Sequence, residues 1–170
     1  MKTVFIEPVY AGPVSYFQSI QSADHIIFDV HGYYEKRSYR NRCEILGPNG
    51  LLKLSIPLEH GKHQKQLLKD VRISYAEKWQ KDHWMSLVSS YRRAPFFEYY
   101  EDTIRPVYER RWEHLTDLNL NLFESFCTLL KWNIPFSLSE DYIPSGNFSG
   151  IDLRNKFLPQ HKQSVQPYLQ

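Results

Sequence analysis

The first thirty residues contain two short apolar runs separated by a segment of helical periodicity. Thr3–Ile6 and residues 25–30 are rich in β-branched and aromatic side chains, which favours buried strands. Between them, Val14, Phe17 and Ile20 recur at helical spacing after a Gly-Pro pair that suits a helix start. A strand, a helix and a strand in this order predict a βαβ unit with parallel strands and a right-handed crossover.

Two further apolar runs flank a turn. Residues 43–46 and 51–58 alternate apolar and polar positions, and Gly47-Pro48-Asn49-Gly50 lies between them. Because Asn-Gly readily supplies the positive φ angles of a tight turn, this pattern predicts a β-hairpin. Residues 71–73 are predicted as another short strand, and residues 134–138 as a strand that returns to the sheet.

Helical periodicity dominates much of the C-terminal half. Residues 78–93 form one predicted helix, and residues 96–111 form a second in which Pro106 predicts a kink or a break. Thr116 or Asp117 is predicted to cap a third helix. The expected fold class is α/β: a small, mostly parallel sheet from the N-terminal βαβ unit plus a β-hairpin, covered by three C-terminal helices.

Length and composition fit one folded domain followed by a tail. The 170 residues are 42% hydrophobic and 15% aromatic, which is enough for a packed core. We expect residues 1–140 to form a single α/β domain. The chain is rich in Pro, Gly, Asn and Gln beyond that point, so residues 141–170 are expected to form a loosely packed C-terminal tail.

The overall charge, the cysteines and the N-terminus exclude several classes of protein. A net charge of +2 is too small to predict binding to nucleic acid. Cys43 and Cys127 lie far apart, outside any C-x-x-C pattern, which favours free thiols in a reducing compartment. The first apolar run stops at Glu7, too early for a signal peptide, and no stretch approaches the ~20 apolar residues of a membrane helix. We therefore expect a cytoplasmic protein without a membrane span, a metal site or a cofactor.

A basic, aromatic segment is the first candidate binding site. It contains Lys36, Tyr39, Arg40, Asn41 and Arg42. In an extended strand, Arg40 and Arg42 would point to one face, where both guanidinium groups could bind the same phosphate or carboxylate. Tyr39 and Asn41 would point to the opposite face. The alternative is a solvated edge strand whose charges deter aggregation.

The ends of the two predicted parallel strands form the second candidate site. Ligands of open α/β sheets bind outside the carboxyl ends of the strands. Tyr10 follows the first strand, and Asp29 and His31 follow the second. Asp29 is therefore a candidate catalytic residue, and Tyr10 and Tyr16 are candidate substrate-binding residues whose alternative role is packing.

His83 is the best candidate general base among the seven histidines. Its imidazole could move a proton to or from an amine or hydroxyl nucleophile. Trp79 lies one helical turn away, and Tyr91 occurs farther along the same predicted helix, so both are candidate substrate contacts. The alternative is a core histidine whose hydrogen bonds are satisfied.

Several stretches of the chain resemble the WbqC-like family in order and in spacing. They are PVSYFQSI (13–20), YYEKRSYRNRCEIL (33–46), LLKLSIPL (51–58), KWQKDHWMSLVSSYRRAPFFEYYED (78–102) and LTDLNLNL (115–122). The resemblance covers roughly residues 3–140. Many relatives carry Gln-Pro after the first strand, where this chain has Glu7-Pro8, and relatives of this subtype run on past the position of Tyr168 into another apolar segment.

The resemblance implies a biological context. Members of the family occur in bacterial gene clusters for surface polysaccharide and O-antigen, and a sugar-modifying transferase role, with glycine as one candidate group, has been proposed for some. In that context the first hypothesis is a transferase that acts on an activated sugar or an aminoacylated donor, whose phosphates Lys36, Arg40 and Arg42 would hold, with His83 as base. One alternative is a module that binds a polyanion such as single-stranded RNA, which the low net charge disfavours. Another is a non-catalytic partner subunit or homo-oligomer with exposed aromatic residues.

Overall fold

The computed structural model describes residues 1–59 and 65–159 of the chain. Its strands are β1 (Thr3–Ile6), β2 (His25–Phe28), β3 (Arg42–Gly47), β4 (Gly50–Ser55), β5 (Phe136–Leu138) and β6 (Ile151–Asp152). Its helices are α1 (Val14–Ile20), α2 (Trp79–Tyr91), α3 (Phe97–Glu109) and α4 (Leu115–Leu130), with a short 3-10 helix at Leu68–Asp70. The expected α/β fold is confirmed.

The predicted βαβ unit forms the centre of a four-stranded parallel sheet with the order β5-β2-β1-β6. β1 pairs with β2 from Thr3 opposite His25 to Ile6 opposite Phe28, and it pairs with β6 on its other side. From β1, the chain therefore adds β2 and β5 in one direction and later crosses back to add β6 in the other. Because the strands are parallel, their carboxyl ends lie at the same edge of the sheet.

The two faces of this sheet are covered differently. Since side chains alternate along a strand, Ile6 and Phe5 point to opposite faces. Ile6 belongs to the buried cluster that includes Ile20 of α1 and Phe123 of α4. On the other face, the ring centroid of Phe148 lies 5.0 Å from that of Phe5. Helices therefore cover one side, and the chain just before β6 covers the other.

β3 and β4 form the predicted hairpin as a separate two-stranded sheet. Arg42 lies opposite Ser55 at the open end, and Gly47 lies opposite Gly50 at the turn. The positive φ of the turn is at Gly50, with a value of 111°, and not at Asn49. The hairpin packs with α2, α3 and α4 around the second buried cluster of the molecule.

The start of α4 differs from the sequence prediction. The expectation that Thr116 or Asp117 caps this helix was wrong, because His114 occupies the position before its first residue. The Thr116 hydroxyl instead donates to the carbonyl of Leu68 at 3.1 Å. That bond reaches the buried first residue of the 3-10 helix, a contact that a local capping pattern cannot reveal.

Two other local predictions differ from the structure in part. Pro106 does not break α3, which runs through it to Glu109, and the kink stays a prediction. Arg72 and Ile73 make isolated bridges with His114 and Leu58 and do not form a strand of their own. None of the helices in residues 1–59 and 65–159 is long and apolar enough to cross a membrane.

The sixth strand comes from the predicted tail. Residues 141–159 of that tail are described, whereas residues 160–170 lie outside the described part of the chain. Ile151 and Asp152 pair in parallel with Val4 and Phe5 of β1. The expectation of a loosely packed tail did not anticipate these contacts, and the domain boundary at residue 140 stays a prediction.

Candidate functional site

Polar residues collect at the carboxyl edge of the parallel sheet. Glu7 directly follows β1, Asp29 follows β2, Ser139 follows β5, and Arg154 lies two residues after β6. β2 and β6 flank β1, and the chain reaches them by crossing in opposite directions. This reversal is a topological switch point, which is where open α/β sheets bind their ligands.

Asp29 and Arg154 form a buried ion pair at this edge. The Arg154 Nη1 donates to Asp29 Oδ2 at 3.1 Å, and the two side chains are 10% and 5% exposed, respectively. The N–H of Gly32 donates to the other oxygen of Asp29 at 2.8 Å. Arg154 also donates to Asp152 at 2.7 Å, and this hydrogen bond lowers the pKa of the Asp152 carboxyl. The Asp29–Arg154 ion pair therefore connects the loop after β2 with the loop after β6.

Glu7 and Arg40 form a second buried ion pair beside the first. Their charged atoms lie 3.7 Å apart. The backbone N–H of Asn155 donates to both carboxylate oxygens of Glu7 at 3.1 Å, and Arg40 donates to the side-chain oxygen of Asn155 at 2.8 Å. Tyr16 donates its hydroxyl to the carbonyl of Glu7 at 2.8 Å. These bonds connect the ends of β1 and β6 to the basic segment.

The basic segment does not form the extended strand expected from the sequence. Residues 36–41 form turns and bends, Arg37 has a φ of 57°, and β3 begins only at Arg42. The prediction that Arg40 and Arg42 share one strand face was therefore wrong. Arg40 instead turns inward, where Asn119 donates to its carbonyl at 2.8 Å. Its Nε and Nη1 have no hydrogen-bond partner among the described residues.

The other predicted members of the segment have separate surroundings. Asn41 accepts a hydrogen bond from the Tyr34 hydroxyl at 2.9 Å and donates to the Ile56 carbonyl at 2.9 Å, so it supports the hairpin. Tyr39 accepts the backbone N–H of Tyr10 at its carbonyl, and burial raises the pKa of its phenol. Lys36 is exposed, and Arg42 is partly buried.

His83 lies in a hydrogen-bonded chain inside the second core cluster. Its Nδ1 is 2.9 Å from the Tyr10 hydroxyl, which is 2.9 Å from the Tyr108 hydroxyl. Burial lowers the pKa of His83 to about 4, although a bond to the backbone of Ser55 opposes this shift. The ring is therefore neutral at pH 7, and Trp79 packs against it at 5.2 Å. This arrangement is the one expected for a core histidine, and its catalytic role stays a prediction.

Tyr91 lines an apolar groove on another side of the molecule. The groove has a volume of about 660 Å³ and lies between α1, α2, α3 and the end of α4. Phe17, Trp84, Phe97 and Trp132 are among its walls. Tyr91 also accepts the N–H of Leu46 at its hydroxyl, at 3.1 Å. The groove can accommodate an apolar group, but it does not contain Asp29 or Arg40.

The two thiols are uncharged at neutral pH. Burial raises the pKa of Cys43 to about 12 and that of Cys127 to about 11. Both cysteines are free. Since the thiolate is the reactive form, neither residue is activated for nucleophilic attack.

Sequence reasoning missed the residues that complete the carboxyl edge. Arg154, Asn155 and Ser139 were not predicted, because the polar composition after residue 140 suggested a loose tail. A signal was present in Ile151-Asp152-Leu153-Arg154, which alternates apolar and polar positions as a half-buried strand does. The pattern is too short to be decisive without the neighbouring strand.

Comparison with known proteins agrees with the earlier resemblance. The sequence model of the WbqC-like protein family matches residues 7–160, a range that includes β6 and Arg154. The chain belongs to the WbqC-like family. This WbqC-like chain is also similar to an uncharacterized protein of Mycobacterium tuberculosis (Rv1507c), with 28% identity over 142 residues. The alignment covers 83% of this chain and 61% of that relative, and no solved structure matches the chain.

Proposed function

We propose that this WbqC-like protein is a bacterial, cytoplasmic transferase of surface-polysaccharide assembly, of the O-antigen type. It takes an amino-acyl or glycosyl group from an activated, phosphate-bearing donor that binds at the carboxyl edge of the parallel sheet. The observation that carries the proposal is the pair of buried ion pairs, Glu7 with Arg40 and Asp29 with Arg154, at the switch point. The family supplies the context of the reaction.

Buried charges support a binding role because they are costly to maintain. Desolvation of a buried ion pair can exceed the attraction between its charges, so stability alone does not explain two such pairs at one edge. Together they fix the loops that follow β1, β2 and β6. A rigid set of loops around a switch point is suited to orienting a donor for attack.

His31 is the proposed base for the transfer. It is partly exposed, its Nδ1 lies 3.3 Å from the Ser139 hydroxyl, and its Nε2 lies 3.0 Å from Lys69 Nζ. When Lys69 turns to the donor phosphate, Nε2 is free to take the proton of an acceptor hydroxyl or amine. The acceptor then attacks the acyl or anomeric carbon, and the bond from that carbon to the phosphate oxygen breaks with its electron pair leaving on the phosphate.

A donor screen tests this proposal. Nucleotide-activated sugars, other sugar phosphates and acyl phosphates would be mixed with the protein, and the melting temperature and transfer to polysaccharide acceptors would be measured by mass spectrometry. We expect one donor class to raise the melting temperature and to support transfer. His31→Ala should abolish transfer at an unchanged melting temperature of the free protein.

His25→Ala is a matched control for this experiment. His25 lies at the opposite end of β2 and contacts Ser137 of β5 at 2.9 Å, much as His31 contacts Ser139. Transfer should survive in this variant. Absence of binding and transfer with every donor class, or equal transfer by wild type and His31→Ala, would contradict the proposed reaction.

A partner subunit or homo-oligomer is the second candidate function. Phe96 is 73% exposed and Tyr99 is 69% exposed, and both stand near the apolar groove. Large exposed aromatic side chains of this kind often mark protein interfaces. Sedimentation at increasing protein concentration would test this role, with Phe96→Ser expected to weaken any self-association.

A further inference from the structure

Two half-exposed tyrosines stand next to each other at the carboxyl edge. Tyr33 is 50% exposed and Tyr142 is 51% exposed. Their ring centroids lie 6.3 Å apart, with an interplanar angle of 51°. Tyr33 follows β2 and Tyr142 lies between β5 and β6. Two loops of the parallel sheet therefore bring aromatic surfaces to the same place in solvent.

The Asp29–Arg154 ion pair holds the backbone next to both tyrosines. Asp29 accepts a hydrogen bond of 2.8 Å from the N–H of Gly32, the residue before Tyr33. Arg154 donates to the carbonyl of Ile143, the residue after Tyr142, at 2.7 Å. One buried pair of charges therefore holds the backbone beside both tyrosines, so little backbone freedom is lost when a ligand binds.

Basic side chains lie beside the tyrosines. The chain around residues 66–69 runs antiparallel to residues 30–34, with the N–H of Lys69 bonded to the Val30 carbonyl at 3.0 Å. This pairing places Lys65 Nζ 5.8 Å from the centroid of the Tyr33 ring and Lys69 Nζ 3.0 Å from the Nε2 of His31. We refer to His31, Tyr33, Lys65, Lys69 and Tyr142 as the tyrosine–lysine surface.

We propose that the tyrosine–lysine surface binds the nucleoside diphosphate part of the activated donor. The base stacks on the ring of Tyr33 or Tyr142 and packs against the other ring, and Lys65 and Lys69 bind the phosphates. This inference rests on the proposed transferase function and names its donor class. Aromatic side chains stack on any nucleobase because every base has a π-face. Lysine ammonium groups bind phosphate oxygens as point charges.

The acidic residues next to Tyr142 favour a mononucleotide over a nucleic-acid strand. Glu140 and Asp141 are exposed, and Asp141 accepts the backbone N–H of Tyr142 at 2.7 Å. Carboxylates accept hydrogen bonds from ribose hydroxyls, as they do in dinucleotide-binding folds. They would repel a continuous phosphate backbone. The surface therefore carries a lysine beside Tyr33 and carboxylates next to Tyr142.

Calorimetric titration of the whole 170-residue protein with uridine, guanosine and thymidine diphosphates and with inorganic pyrophosphate tests the inference. We expect uridine diphosphate to bind about tenfold more tightly than pyrophosphate, since stacking adds to the phosphate contacts. The double variant Tyr33→Ala and Tyr142→Ala should remove this advantage and leave pyrophosphate binding unchanged. Lys69→Ala should weaken the binding of both uridine diphosphate and pyrophosphate.

Tyr99→Ala provides the matched control. Tyr99 is 69% exposed, and its ring also packs against a second tyrosine, Tyr100, at 5.6 Å. It lies on α3. Uridine diphosphate should bind this variant as it binds the wild type. The melting temperature of every variant should stay close to that of the wild type, because the substituted rings are half in water.

The outcomes separate this inference from the proposed function. If uridine, guanosine and thymidine diphosphates all bind no more tightly than pyrophosphate, or if the double tyrosine variant binds them like the wild type, the inference is overturned. Turnover of a donor without a nucleotide in the donor screen would then leave the transferase proposal intact. Tyrosine-dependent diphosphate binding without any group transfer would sustain the inference and remove the transferase proposal.

Discussion

Arg154 has the largest set of polar contacts at the carboxyl edge. It binds Asp29, Asp152 and the carbonyl of Ile143, and its guanidinium lies 4.3 Å from the ring centroid of Phe5. One side chain therefore joins β6, the loop after β2 and the loop before β6. Asp29 is almost fully buried, and this arginine and the N–H of Gly32 are hydrogen-bond partners of its carboxylate.

Arg154→Ala should lower the free energy of unfolding by about 3 kcal/mol, because it leaves a buried carboxylate without its partner. Urea unfolding followed by circular dichroism would measure the loss. Arg105→Ala is the matched control, since Arg105 pairs with Glu101 and Glu109 in water, and it should cost less than about 0.5 kcal/mol. Equal losses in the two variants would contradict the importance given to the buried pair.

His83 should make stability depend on pH. Its pKa is about 4 in the folded protein, against 6.5 for an ordinary histidine. Between these values the unfolded chain binds a proton that the folded chain does not bind, so the free energy of unfolding falls as the pH drops through this window. The slope should reach about 1.4 kcal/mol per pH unit.

His83→Gln separates this contribution from that of the carboxylates. Urea unfolding at pH 6.5, 5.5 and 4.5 should give a shallower pH dependence for this variant than for the wild type. His25→Gln, at the start of β2 and outside the Tyr10–His83 contact, should keep the wild-type slope. If the free energy of unfolding depended on pH equally in His83→Gln and the wild type, burial would not lower the pKa of His83.

At the scale of single elements, the hairpin turn depends on the backbone of Gly50. Its φ of 111° is rarely adopted by L-residues, and a Cβ built at this position would meet no atom within 4 Å. Gly50→Ala should therefore cost about 1 kcal/mol through backbone strain alone. Asn49→Ala should change stability by less than about 0.5 kcal/mol in the same urea experiment. If Asn49→Ala lost more stability than Gly50→Ala, the backbone of Gly50 would not be what constrains the turn.

The basic segment shows why an element can be predicted with the wrong shape. Alternation of arginines with Tyr39 and Asn41 is compatible with a strand, so the sequence favoured an extended chain. In the structure, Arg40 finds Glu7 and Asn155, which are far away in the sequence. Bonds to these distant partners outweigh the weak local preference, and the segment turns inward.

At the scale of the whole molecule, the strand that completes the parallel sheet comes from the end of the described chain. β6 pairs with β1, Phe148 packs on Phe5, and Phe157 packs on Tyr16 with ring centroids 5.6 Å apart. These contacts join residues more than a hundred positions apart. The region after residue 140 therefore supports the same sheet as the N-terminal βαβ unit.

A chain that ends at Glu140 should lose more than about 3 kcal/mol of stability, because Asp29 loses Arg154 and one edge of β1 is left unpaired. A chain that ends at Pro159 keeps β6 and serves as the control. Urea unfolding of the two purified proteins would measure the difference. Equal stability would support a domain boundary at residue 140 and contradict the role assigned to β6.

The βαβ unit, the hairpin and the helical C-terminal half were predictable from the amino-acid sequence, because periodicity and turn residues act between near neighbours in the chain. The family was recognisable from motifs in matching order and spacing. The sequence also indicated that the strand ends near Asp29 are a candidate site. It is the tertiary structure that shows Arg154 as the partner of Asp29, Arg40 buried against Glu7, and the His83 ring hydrogen-bonded inside the core. Burial and ion pairing depend on which distant segments come into contact, and local sequence patterns do not determine those contacts.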